Sequence, residues 1–335
     1  MEFVLLLISF AVILAGALIF TNAVEWAGHR LSMGEGAVGS LLAAVGTAMP
    51  ETLIPVIAII GGSAGAEDVA VGAIIGAPFL LATLAMMLVG LAAYGYRNRR
   101  SQGNELNAHL PTTERDLIFF LVFFGLGLAL GLGVPNWVQY VGAGLMLIAY
   151  GIYVKQTLAG GGDVQEEDTI APLIVARPGV VTTNPDDPGR FAIGLQFAIG
   201  LGCIVGGAHM FVNELESVSE TIGIAAIVLS LILAPLATEL PEKVNSFFWV
   251  RDGKDSLALG NITGAMVFQS TIPISFGLIF TEWDLDKYGI LSCALGLAGG
   301  LLALLVLARR GRFELPPIIG WGLLYAIFLT FVLVA

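Results

Sequence analysis

The sequence predicts an all-α membrane protein with ten transmembrane helices in two inverted five-helix repeats. Three observations predict it: an apolar composition, ten apolar runs split five and five by one long polar connection, and a proline–carboxylate motif that occurs twice in corresponding places. Hydrophobic residues make up 57% of the chain and charged residues 12%, with a mean hydropathy of +0.88. Soluble domains carry about 25% charged residues, so an ordinary water-soluble globule is excluded.

Crossing roughly 30 Å of hydrocarbon takes about 20 residues. The apolar runs lie near 2–22, 36–60, 68–95, 115–133 and 136–156 in the first half, and 190–211, 221–248, 255–280, 287–308 and 315–335 in the second. The first run lacks a basic leader, Glu2 being its only early charge, and is read as an uncleaved helix. The connection 159–189 holds Gly160-Gly161-Gly162, the acidic Glu166, Glu167 and Asp168, and Asn184-Pro185-Asp186-Asp187-Pro188-Gly189, the composition of an irregular linker. The expected organisation is a first repeat at 1–158, a cytoplasmic linker at 159–189 and a second repeat at 190–335. Five spans per half make the second half enter the membrane from the opposite side, the inverted arrangement of many secondary transporters.

Short cytoplasmic loops are enriched in Lys and Arg. Alternating the loops puts thirteen of the fifteen basic residues on one side, with Lys287 opposite and Lys243 inside a span. Both termini are therefore expected outside, and the expected location is a prokaryotic plasma (inner) membrane. The net charge of −11 is scattered over the loops and identifies no partner. Cys203 and Cys293 fall within spans, as small packing residues.

Thr47-Ala48-Met49-Pro50-Glu51 and Thr238-Glu239-Leu240-Pro241-Glu242 share T-x-x-P-E at an offset of 191 residues. Asn22 and Glu25 match Asn213 and Glu216 in the same register, read as helix-end residues or the mouth of a pathway, with direct ion contact as the alternative. A second pair, Gly72-Ala73-Ile74-Ile75-Gly76 and Gly260-Asn261-Ile262-Thr263-Gly264, fits close helix packing. Charges at bilayer depth cost roughly 2.5–3.5 kcal/mol or more, so they face cavities and mark ion pathways.

Thr and Glu four apart share a helix face. Pro50 and Pro241 cannot donate to the carbonyls of Gly46 and Ala237, and they crowd the helix there. Helices 2 and 7, and with them 3 and 8, are thus expected to be discontinuous around a midplane ion site, where broken backbone is tolerated if it lines a cavity. The plain alternative is that each Pro only kinks its helix and each Glu is protonated or paired. Two carboxylates with carbonyl and hydroxyl oxygens suit Ca²⁺, which takes 6–8 oxygen ligands.

These motifs resemble the cation/Ca²⁺ exchanger superfamily, most closely its sodium/calcium exchanger branch, whose repeats read G-T-S-x-P-E and G-N-x-x-G-S-N. Gly46–Glu51 is close to the first, Ala237–Glu242 fair, Gly260–Met266 partial to the second, and Gly72–Pro78 keeps only its glycines. The resemblance implies Glu51 and Glu242 as metal ligands, supported by main-chain oxygens of Thr47 and Thr238, with helices 1 and 6 moving across the core. It departs where Ala48 and Glu239 replace the family Ser, and where Pro78 and Met266 replace Asn. Glu239, Asn261, Thr263 and Gln269, with the carbonyls of Gly46 and Ala237, remain for an additional ion or proton site.

Sodium coupling and proton coupling both stay open, because neighbouring carboxylates raise each other's protonation. Glu239 also stands four residues before Lys243, the favourable helical ion-pair spacing, and Lys243 then acts as a charge modulator. Glu67 and Asp68, like Asp252 and Asp255, are read as caps at helix starts, and His29, His109 and His209 as isolated residues. The expected activity is antiport of a hard divalent cation, foremost Ca²⁺, for Na⁺ or H⁺, with a cation channel as the alternative and a non-transporting membrane scaffold as a third class. No nucleophile–base set or phosphate loop marks an enzyme. No cofactor beyond the transported ions and no nucleic acid is expected; the cations and the bilayer are the partners, and the chain is read as a monomer.

Overall fold

The computed structural model describes residues 1–30, 51–62, 65–106, 110–159, 171–174, 187–308 and 314–334, with a few side chains within helices excepted. Among these residues the fold is all helix, without strands. The order is α1 (Glu2–Arg30), α2 (described over Glu51–Gly61), α3 (Ala66–Leu80) continuing through a π turn (Leu81–Ala85) into α4 (Met86–Gly95), α5 (Leu110–Leu130), α6 (Asn136–Ala159), α7 (Arg190–Ile222), α8 (Ala226–Arg251), α9 (Asp255–Gln269), α10 (Ile272–Phe280), α11 (Lys287–Ala308) and α12 (Leu315–Val334). Among the described residues seven candidate spans are long and apolar enough to cross a membrane. The remaining long helices, α5 and α8, carry Glu114, Arg115, Asp116 and Glu239, Glu242, Lys243 respectively.

Local chemistry explains the breaks. Pro78 has no N–H to donate and crowds the preceding turn, and the π turn follows three residues later; such single-turn π bulges are recurrent within helices. The 255–280 run is interrupted at Ser270–Thr271, where Thr271 leaves helical geometry (φ −125°) and both hydroxyls bond back to Val267. Pro273 then opens α10, where a missing N–H costs nothing. α7 stops at Gly223, in the left-handed conformation that glycine adopts without strain. The expectation of a broken helix 7 differs from what is found: α8 runs continuously through Pro235 and Pro241. Proline there removes individual hydrogen bonds without ending the helix. The start of helix 2 lies outside the described residues.

α1 and α7 form an antiparallel pair along their length. Thr221 near the end of α7 donates to Glu2 at 2.9 Å, while Arg30 at the end of α1 donates to Pro188 O, two residues before α7. A Cβ on Gly16 would come within 2.8 Å of Cys203 Cβ, and one on Gly200 within 2.7 Å of Phe20 N. Small residues thus let the backbones approach, as expected of membrane helix pairs. α3 crosses α8 the same way: a Cβ on Gly72 would stand 2.5 Å from Ile227 O, and one on Gly76 would collide with Leu231 O. Ser230 adds a 2.6 Å bond to Val69 O.

The main core joins α3, α5 and α9 to α12 around Phe79, Phe120, Phe124, Trp283, Trp321 and Phe328. A second cluster, including Ile13, Ile54, Phe211, Leu215 and Ala234, fills the space between the α1–α7 pair and the rest. Outward faces of α6 and α12 carry exposed Trp137, Tyr140, Ile148, Ile319 and Leu323, the surface of a chain solvated by lipid.

Candidate ion-binding site

Glu51 sits at the first described position of α2 and is buried, at 7% exposure. It lines a narrow gap with Ile54 of its own helix, Ala73 and Ala77 of α3, and Ala234, Pro235 and Thr238 of α8. The gap owes its place to the glycines next to it. Because Gly72 and Gly76 let α3 lie directly on α8, the neighbouring Ala73 and Ala77 bring only methyl groups to the wall. Thr238 is buried and its Oγ1 donates to Ala234 O at 3.1 Å, which leaves its oxygen lone pairs free to accept or ligate. One half's carboxylate therefore faces the other half's threonine across a shared buried space.

Beside Thr238, Lys243 Nζ donates to Glu239 Oε2 at 2.6 Å, and both side chains are buried. The predicted local pair is present. Glu239 Oε1 has no hydrogen-bond partner among the described residues. A buried pair of opposite charges in this position adds no net charge to the region.

The further polar candidates do not converge. Asn261 donates to Ser246 Oγ of α8 at 3.1 Å, whereas Thr263, about 200° around α9, donates to Asp116 Oδ2 of α5 at 3.1 Å. Gln269 is buried at the end of α9. Gly46 and Thr47 lie outside the described residues, as do the side chains of Ala237 and Glu242; the backbone of both latter residues belongs to α8.

Sequence reasoning missed two buried charged groups. Asp116, 2% exposed, receives Tyr153 Oη at 3.1 Å and Thr263 Oγ1, and pairs with Arg115 at 3.0 Å, joining α5, α6 and α9. The signal was available, since Asp116 falls inside the apolar run that starts near 115, but adjacency to a basic loop concealed it. Asp255 does open α9, as read, and is in addition a fully buried ion-pair partner: Arg100 Nη1 and Nη2 donate to its two oxygens at 2.8 and 2.7 Å. Asn22, read as a helix-end or pathway residue, is buried and fastens the segment after the linker's acidic stretch, donating to Ala171 O at 3.1 Å and accepting from Ile174 N at 3.2 Å.

A family model described as sodium/calcium exchanger protein matches residues 1–156 and 193–334. The chain belongs to the sodium/calcium exchanger family. As a family member it is a membrane transporter and not an enzyme. Among curated relatives, the putative antiporter CaxA of Alkalimonas amylolytica is 25% identical over 112 residues, 33% of this chain and 35% of that protein. The chain thus matches only about a third of that relative's length. Inner membrane protein YrbG of Escherichia coli (strain K12) is 22% identical over 74% of this chain and 70% of its own. The exchanger fold is shared with the crystal structure of an H⁺/Ca²⁺ exchanger, CAX (TM-score 0.71, 19% identity, 100% of this chain and 82% of that one). It is shared also with the sodium–calcium exchanger NCX_Mj (TM-score 0.60, 18% identity, 98% and 97%).

Proposed function

We propose that this exchanger is a secondary antiporter that moves a hard divalent cation, Ca²⁺ foremost, against Na⁺ or H⁺ by alternating access. The observation that carries the reading is Glu51 of the first half lining one narrow buried gap with Thr238 of the second. Glu242 follows Thr238 by four residues, the spacing that shares a helix face, and is assigned as the second carboxylate ligand. Main-chain oxygens of Thr47 and Thr238, with those of Gly46 and Ala237, complete a hard-oxygen set of the kind Ca²⁺ accepts. Glu239, Asn261, Thr263 and Gln269 are the candidates for a secondary ion or proton position, and Lys243 sets the charge beside it.

In the same reading ten spans form inverted halves, 1–158 and 190–335, joined by a cytoplasmic linker, 159–189, with both termini outside. The helices around Pro50 and Pro241 supply open carbonyls, and the α1–α7 pair moves across the core. The two solved relatives are named for different counter-ions, so the coupling ion is assigned by assay. Ca²⁺ uptake into proteoliposomes under an imposed Na⁺ gradient and, separately, an imposed pH gradient identifies it. Glu51→Gln and Glu242→Gln should each reduce gradient-driven uptake to the level of empty vesicles. Full transport by both variants removes the proposal, and flux that never accumulates Ca²⁺ against its gradient replaces it with a channel.

A further inference from the structure

A groove of about 250 Å³ opens where α1 ends and α7 begins. Ala27 and Arg30 of α1 form one wall; Arg190, Ile193, Gly194 and Phe197 of α7 form the other. Its lining is therefore apolar except for two guanidinium groups. Arg30 is anchored, its Nε and Nη2 donating to Pro188 O at 3.1 and 2.9 Å, and it pairs with the exposed carboxylate of Asp187. Arg190 is exposed and forms no hydrogen bond or ion pair among the described residues. Among the described residues Asp187 answers Arg30, and no carboxylate pairs with Arg190.

The position of the groove specifies its occupant. Both arginines fall on the side to which the basic-residue bias assigns the cytoplasm. On the same first turns of α7, Phe191 is 79% exposed and Leu195 and Ile199 also face outward, as lipid-facing residues do. The groove thus lies at the boundary between hydrocarbon and water, at the depth of a phospholipid's phosphate. Free anions gain nothing from an apolar wall, whereas a lipid places its phosphate at the guanidinium groups and its first acyl carbons along Ile193 and Phe197. Basic pockets between transmembrane helices on this side bind anionic headgroups.

We infer that the groove is a binding site for an anionic phospholipid, its phosphate bridging Arg30 and Arg190 and so clasping the end of α1 to the start of α7. Native mass spectrometry of the purified full-length chain, titrated with phosphatidylglycerol or phosphatidylcholine, tests it. Phosphatidylglycerol should be retained in preference to phosphatidylcholine. Arg190→Ala should weaken that retention about fivefold, the equivalent of the roughly 1 kcal/mol one basic side chain contributes at an anionic surface. A Cβ on Gly194 meets nothing within 4 Å, so Gly194→Leu should fill the groove and abolish retention while both arginines remain. Arg251→Ala, at an exposed arginine elsewhere, should leave retention unchanged, and monodisperse elution checks that each variant is folded. Equal retention by Arg190→Ala and the parent, or equal retention of the two lipids, overturns the inference. So does displacement by millimolar inorganic phosphate, which would make it a free-anion site.

Discussion

The ion pair between Arg100 and Asp255 permits a test with a worked magnitude. Arg100 follows α4 and Asp255 opens α9; both side chains are fully buried, and the guanidinium spends its donors on both Asp255 oxygens and on the carbonyls of Val250, Gly103 and Glu105. Arg100→Met removes all of these donors and leaves a buried carboxylate uncompensated, a loss of about 3–5 kcal/mol. Asp255→Asn keeps the shape and the guanidinium's three carbonyl acceptors but leaves the buried positive charge without its carboxylate and turns an amide donor toward it, again a loss of about 3–5 kcal/mol. In the double variant no charge is stranded, so its cost should fall clearly below the sum of the singles. The assay is unfolding by SDS titration in mixed micelles, followed by tryptophan fluorescence, with the four proteins closing a double-mutant cycle. Additivity within about 0.5 kcal/mol would refute the coupling inferred from the geometry.

Other perturbations have equally definite outcomes. Gly76→Val drives a side chain into the Leu231 carbonyl and should lower stability by about 1–3 kcal/mol or more. Gly144→Ala on α6, where a Cβ meets nothing, should instead gain up to about 1 kcal/mol; equal effects in thermal unfolding would contradict the assigned α3–α8 contact. Lys243→Met strands Glu239 in the interior and should cost about 3–5 kcal/mol, while Glu239→Gln combined with Lys243→Met should recover most of it. Failure of that recovery, measured by the same unfolding assay, would show that the two groups answer to other partners.

Membrane embedding and the length of most helices were legible because both depend on local composition. The Glu239–Lys243 pair was legible for the same reason: its partners lie one turn apart. Contacts between distant segments were not. Arg100 and Asp255 are 155 residues apart, and nothing in either neighbourhood distinguishes a fully buried partner from a solvated cap. Asn22 was readable as part of a repeated register, but its bonds to Ala171 and Ile174 depend on where the linker crosses α1. The close packing expected of both glycine pairs holds at Gly72 and Gly76, whose partner, the backbone of α8, emerges only from tertiary structure, but not at Gly260 and Gly264, where a Cβ would meet nothing within 4 Å. Proline was over-read as a terminator, since α8 continues through Pro235 and Pro241. For the candidate site, repetition indicated the residues, and the meeting of Glu51 with Thr238 required the fold.

The α1–α7 pair has a mechanical consequence. The side-chain bonds described for it run between the two helices and to the linker, as with Gln196 to Ile19 O and Asn22, while its face toward α2, α3 and α8 is built from Leu6, Ile13, Ala208, Phe211 and Leu215. Dispersion contacts have no preferred direction and are individually weak. On the alternating-access reading, a displacement along the pair's common axis would trade one methyl neighbour for the next across this apolar face, and two helices laced to each other would travel as one body.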